Sequence, residues 1–162
     1  MIQNIDLNNI THILLIIVTC MIFTLIITFY IKKIAFHIKA LDIPNERKVH
    51  TKPMPRLGGL GIFLGFLFGY MLFGVQSLQM NSILIGSFLI VLLGVMDDIK
   101  PLDAKTKFLG QILATCVLIF YGDILLTKIS LYGLTINFGI LSYPITIFFV
   151  LSCINIITLI DE

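Results

Sequence analysis

Five apolar stretches, 10–31, 57–75, 83–96, 108–121 and 141–160, follow one another with short charged segments between them. A bilayer-spanning helix needs about 20 predominantly apolar residues. Three stretches qualify outright. The third and fourth reach that length as 81–97 and 104–121 by continuing into their polar flanks. Charged residues make up only 12% of the chain, about half the share usual in soluble domains. The pattern predicts an all-α polytopic membrane protein of about five transmembrane helices. The 162 residues form one membrane domain, 1–162, with no room for a soluble catalytic domain.

The basic residues predict the orientation. Lys32, Lys33, Lys39, Arg47, Lys48, Lys52 and Arg56 lie between the first and second stretches, and Lys100, Lys105 and Lys107 between the third and fourth. Lys128 alone falls in a connection of opposite parity. By the positive-inside rule the two basic connections are cytoplasmic and the N-terminus is outside. The leader MIQNIDLNN has no positive charge, so the first stretch reads as a retained helix and not a secretory signal. The segment LTKISLYGLTINFGI alternates apolar and polar residues around Gly133 and predicts a short extracytoplasmic β-hairpin. Cys20, Cys116 and Cys153 lie within predicted spans without metal-ligand spacing and read as packing residues.

Chemistry is concentrated at the cytoplasmic ends. Asp97 and Asp98 close the third stretch, LIVLLGVMDDIK. Carboxylates at a helix C-terminus oppose the macrodipole, and neighbouring like charges disfavour each other's ionised forms. Mg²⁺ relieves both penalties and characteristically takes one or two carboxylates plus substrate phosphates. The bland alternative is a pair of acids marking the water side of a helix end. In PLDAKTKFLGQ, Asp103 is a predicted N-cap. Lys107 and Gln111 then stand i and i+4 on one face of the fourth helix. Lys107 is either a phosphate-binding cation near a helix N-terminus or an interfacial snorkelling lysine. The first basic connection, LDIPNERKVHTKPMPRLGG, carries Asp42, Arg47, Lys48 and His50. Attraction to anionic headgroups accounts for its basic residues alone. The glycines Gly58 and Gly59 predict a close helix approach or a sharp entry into the second span. Asn155 reads first as an interhelical hydrogen bond, and Asp161 ends the fifth stretch.

Three motifs resemble the polyprenyl-phosphate N-acetylhexosamine-1-phosphate transferases: LDIPNERKVHTKPMPRLGG at 41–59, LGVMDDIKPLDAKTKFLGQ at 93–111 and NIITLID at 155–161. The wording of the first is similar to the teichoic-acid and O-antigen (lipopolysaccharide) branch. The phospho-MurNAc-pentapeptide branch usually reads TPTMGG there, and is the alternative within the family. The resemblance implies a multi-pass plasma-membrane enzyme whose cytoplasmic face uses Mg²⁺. It implies transfer of N-acetylglucosamine-1-phosphate from UDP-N-acetylglucosamine to undecaprenyl phosphate, the first membrane step of cell-envelope polysaccharide synthesis.

By the same resemblance Asp97 and Asp98 match the family's metal or base pair, and Asp161 the first aspartate of its NLIDGLDGL run. Lys107 matches a phosphate-binding lysine. Asp42, Arg47, Lys48, His50 and Asn155 are the further substrate-binding candidates. Thr158 stands where the family has Asn. The family continues past Asp161 with Gly and a second Asp, so the chain is expected to be an N-terminal half that does not complete the reaction alone. Its implied partners are the bilayer, the two substrates, and a second copy or the remaining half; nucleic acid is not among them. A non-catalytic remnant or interaction module is the competing class.

Orientation is directly testable. With the native cysteines replaced, cysteines introduced at Lys52 and Lys105 should resist an impermeant thiol reagent in intact cells, whereas one at Gly133 should react. Labelling at Lys52 in sealed cells would reverse the topology.

Overall fold

The computed structural model describes residues 7–42, 53–131 and 134–161. Its helices are α1 (Leu7–His37), α2 (Gly58–Phe73), α3 (Leu78–Ile99), α4 (Ala104–Cys116) and α5 (Ser142–Asp161). Two small antiparallel pairs accompany them, β1 (Leu41–Asp42) with β2 (Met54–Pro55), and β3 (Lys128–Leu131) with β4 (Leu134–Asn137). Four helical segments among the described residues, Ile10–His37, Leu78–Ile99, Ala104–Tyr121 and Gly139–Thr158, are long and apolar enough to cross a membrane. Most of their large apolar side chains are exposed, as the lipid-facing surface of a polytopic membrane protein requires.

The second predicted span, 57–75, is shorter than the sequence pattern implies. Its helix has 16 residues, about 24 Å at 1.5 Å per residue, against a hydrocarbon core of about 30 Å. Gly74 stops it by turning to extended backbone, φ −76° and ψ 145°.

The chain divides into two compact units: Met1–Val75 with Gly94–Pro101, and Gln76–Leu93 with Leu102–Glu162. In the first unit α1 and α2 pack through small residues. A Cβ on Gly61 would lie 2.8 Å from Thr28 Oγ1, and one on Gly69 2.8 Å from Cys20 Sγ. Gly65 faces Thr24 in the same row. With no side chain between them the backbones approach closely, and dispersion replaces the hydrophobic effect as the attraction within lipid. Phe23 and Phe68 stack beside this row, ring centroids 3.8 Å apart. Gly58 and Gly59 are not part of the approach, since nothing stands within 4 Å of where their Cβ atoms would be.

At the end of α1 the Ala40 N–H donates to Ala35 O at 3.0 Å, and Lys39 takes φ +59°. This is a Schellman closure with lysine where glycine is usual. It turns the chain into β1, where Leu41 opposes Pro55 and Asp42 opposes Met54. Buried Ile31, Ala35, Ala40 and Leu57 form the core here, and Val95 of α3 packs against them.

In the second unit α4 leads into a π-helical turn at Val117–Tyr121, closed by the Gly122 N–H donating to Val117 O at 3.2 Å. The hairpin register pairs Lys128 with Asn137, Ile129 with Ile136, Ser130 with Thr135 and Leu131 with Leu134. Strand alternation puts the four apolar positions on one face and the four polar ones on the other. The antiparallel pair is thus the one the sequence predicts, with Gly133 itself outside the described residues. Buried Thr146 ties the preceding loop to α5: its Oγ1 accepts from the Leu126 N–H at 2.8 Å and donates to Ser142 O at 2.6 Å.

The glycine row makes a sharp prediction. Gly65→Leu should destabilise the folded protein in detergent by about 1–3 kcal/mol, the usual cost of overpacking. Gly59→Ala should be neutral or gain up to about 1 kcal/mol of helix propensity. Thermal unfolding of both variants checks this; equal effects would mean that α1 and α2 do not meet at Gly65.

Candidate functional site

Asp97 and Asp98 occupy the last turn of α3, before Pro101 bars further helix. Both are half-buried. Consecutive helical residues leave the axis about 100° apart, so the pair occupies adjacent positions of one turn. Val95, two residues earlier, anchors this turn in the first unit's core. Asp42 belongs to β1 of the same unit. Arg47, Lys48 and His50 lie outside the described residues.

A second group of predicted residues comes together in the other unit. A cleft of about 610 Å³ between α4 and α5 is lined by Lys107, Gln111, Asn155 and Thr158, with Leu102, Ala104, Lys105 and Phe108. Helix geometry places Lys107 and Gln111 one turn apart on one wall, and Asn155 and Thr158 on the other. Asp103 starts α4 as its N-cap residue, in extended conformation (φ −68°, ψ 153°). Its carboxylate accepts from the Thr106 hydroxyl rather than from a backbone N–H. The backbone carbonyl of Asp103 accepts from the Lys107 N–H at 3.1 Å as the helix ladder begins.

Asn155 makes the interhelical hydrogen bond its sequence context predicts. Its Nδ2 donates to Gln111 Oε1 at 3.0 Å and to Leu151 O at 2.8 Å. The Thr158 hydroxyl donates to Ile154 O at 2.9 Å. Asp161 is the last residue of α5. Gln111 was visible in the sequence only as a neighbour of Lys107; the crossing of α4 and α5 that pairs it with Asn155 leaves no periodic signal.

A further cavity of about 430 Å³ went unnoticed in the sequence. It is lined chiefly by apolar groups of α3, α4, the π turn that follows it and α5, including Ile83, Gly86, Ile90, Ala114, Leu118 and Ile154. Its only trace there is the small residues Gly86, Ser87 and Ala114 within otherwise bulky runs.

Mg²⁺ needs one or two carboxylates from the protein and fills its remaining positions with water and phosphate oxygens. The aspartate pair of α3 meets that need. Among the described residues there is no cluster of three or more His, Cys, Asp or Glu side chains, as an all-protein cage would require.

The family model for glycosyl transferase family 4 matches residues 80–162. A "Probable undecaprenyl-phosphate N-acetylglucosaminyl 1-phosphate transferase" of Bacillus subtilis (strain 168) is 41% identical over 140 residues, covering 85% of this chain and 39% of the relative. A decaprenyl-phosphate N-acetylglucosaminephosphotransferase of Mycolicibacterium smegmatis is 32% identical over 155 residues, covering 88% of this chain and 38% of that protein. An undecaprenyl-phosphate alpha-N-acetylglucosaminyl 1-phosphate transferase of Salmonella typhi is 28% identical over 148 residues, 89% of this chain and 40% of its own length. The chain thus spans about two-fifths of these curated relatives. No solved structure matches it significantly.

Proposed function

We propose, because the chain belongs to glycosyl transferase family 4, that it contributes to transfer of N-acetylglucosamine-1-phosphate from UDP-N-acetylglucosamine to undecaprenyl phosphate. The observation that carries this is the α4–α5 cleft, which combines a lysine with two amides on helices inside the matched segment. A phosphate oxygen of the lipid attacks the β-phosphorus of the nucleotide sugar. The bond from that phosphorus to the oxygen bridging it to UMP breaks, and UMP leaves. The attacking group is already anionic, so the work is positioning and charge neutralisation rather than strong base catalysis.

Each residue has a part in that scheme. Lys107 holds phosphoryl oxygens, and Asn155 orients the donor. Asp97 and Asp98 would hold Mg²⁺, which when bound neutralises diphosphate charge. Asp161 is proposed as a catalytic aspartate, and Asp42, Arg47, Lys48 and His50 as further substrate-binding residues. The positive-inside rule assigns these residues to the cytoplasmic face of the plasma membrane, where nucleotide sugars are. The apolar cavity of α3, α4 and α5 suits a hydrocarbon chain and supports a lipid acceptor.

The test is release of UMP from UDP-N-acetylglucosamine with undecaprenyl phosphate and Mg²⁺. Membranes would carry the chain alone, or joined in frame to the C-terminal part of the Bacillus subtilis relative. Asp97→Asn and Asp98→Asn should each cost at least about a hundredfold in turnover, the scale of losing one group that stabilises transition-state charge. Folded protein should be retained, since Asn is nearly isosteric. Lys107→Ala should lose about tenfold or more. Undiminished turnover in both aspartate variants would remove them from the site. No turnover in either form of the wild type would sink the transfer reaction.

A further inference from the structure

The two amides between α4 and α5 have a fixed sense. Leu151 O is a carbonyl oxygen and can only accept, so the Asn155 side-chain atom 2.8 Å from it is the nitrogen. That same nitrogen lies 3.0 Å from the Gln111 side chain, whose contacting atom is therefore the oxygen. Both N–H groups of Asn155 are then spent. Its Oδ1 is left as a pure acceptor and the Gln111 Nε2 as a pure donor.

Thr158, one turn beyond Asn155, spends its hydroxyl proton on Ile154 O and likewise keeps only lone pairs. Lys107, one turn before Gln111, carries only donors. The cleft consequently has a donating wall on α4, from Lys107 and Gln111, and an accepting wall on α5, from Asn155 and Thr158.

We infer that Gln111 is a positioning residue that sets this polarity. By holding the Asn155 amide it aims α4 donors at phosphoryl oxygens and α5 acceptors at hydroxyl or N–H groups of the same ligand. The inference rests on the proposed transfer for the identity of that ligand, a nucleoside diphosphate joined to a sugar. It rests on the hydrogen bonds alone for the anchoring of Asn155. A ligand entering the other way round would set phosphate oxygens against carbonyl oxygens, and like lone pairs repel.

The experiment separates those two parts. The chain is labelled with ¹⁵N-asparagine, and solvent exchange of the Asn155 Nδ2 protons is read by NMR in detergent without nucleotide. Gln111→Met removes both amide groups at similar shape, and should speed exchange about three- to tenfold, the scale of one lost net hydrogen bond. Gln111→Glu keeps the accepting oxygen and should leave exchange near wild type. Gln111→Ala serves as a second removal, tolerated because Gln111 lines an open cleft.

Dialysis against UDP-N-acetylglucosamine with Mg²⁺ should show the Met variant binding about three- to tenfold more weakly. Unchanged Asn155 exchange in both the Met and Ala variants would overturn the anchoring. Exchange in Gln111→Glu as fast as in Gln111→Met would do the same. Wild-type exchange behaviour as expected, with no nucleotide-sugar binding, would instead reject the proposed ligand and leave the anchoring standing.

Discussion

The hydrocarbon interior offers no water to a polar group, and the rest of this structure follows from that constraint. Backbone N–H and C=O groups must pair within their own segment, which selects helices. Polar side chains within those helices largely follow it, the buried Ser142 Oγ at the start of α5 excepted. Thr24 donates to Cys20 O, Thr115 to Gln111 O, Thr146 to Ser142 O, Asn155 to Leu151 O and Thr158 to Ile154 O. Each returns four residues along its own helix, to a carbonyl already in the ladder. The arrangement satisfies the donor without asking a neighbouring helix for anything. Asn155 has a second N–H to place, and so it alone of these five also reaches to another helix, at Gln111.

The same constraint governs how helices meet. Water does not drive apolar surfaces together inside lipid, so attraction comes from close approach. In the first unit that approach is the row Gly61, Gly65 and Gly69 against Thr28, Thr24 and Cys20. The hydroxyls of this row are useful because they are small, and the Thr24 hydroxyl proton is internally paired. In the second unit a similar economy appears at Gly86, whose absent Cβ would lie 3.3 Å from Ala114 O.

Much of this was legible in the sequence because composition and period carry it. Apolar length marked the long helices, alternation around Gly133 marked the β3–β4 pair, and Asp103 marked the start of α4. The i, i+4 spacing put Lys107 and Gln111 on one face. What was not legible depends on how helices cross. Gly58 and Gly59 read as a close approach or a sharp entry into the span; the close approach falls further along the helix, at Gly61, Gly65 and Gly69. Length misled at α2, since an apolar residue such as Val75, 87% exposed, extends a hydropathy run without extending the helix. Nothing in the pattern VLIFY distinguishes its π turn from α-helix. The pairing of Gln111 with Asn155 spans 44 residues and has no local signature.

A bilayer enzyme for phosphates must concentrate charge where the hydrocarbon ends, because a charge further in is costly. Here helix ends supply the charges and helix interiors aim them. Asp97 and Asp98 sit on the final turn of α3, held by Val95 in an apolar core two residues away. Lys107 sits on the opening turns of α4, which Asp103 precedes as its N-cap residue. Lysine is a flexible point charge and gives a phosphate little orientation by itself. Orientation has to come from groups that cannot rotate, and a carboxamide with both hydrogens committed is such a group. In the proposed site the amide pair one turn deeper than Lys107 would therefore complement it: the cation would attract a phosphate, and the fixed amides would decide which way round the ligand lies.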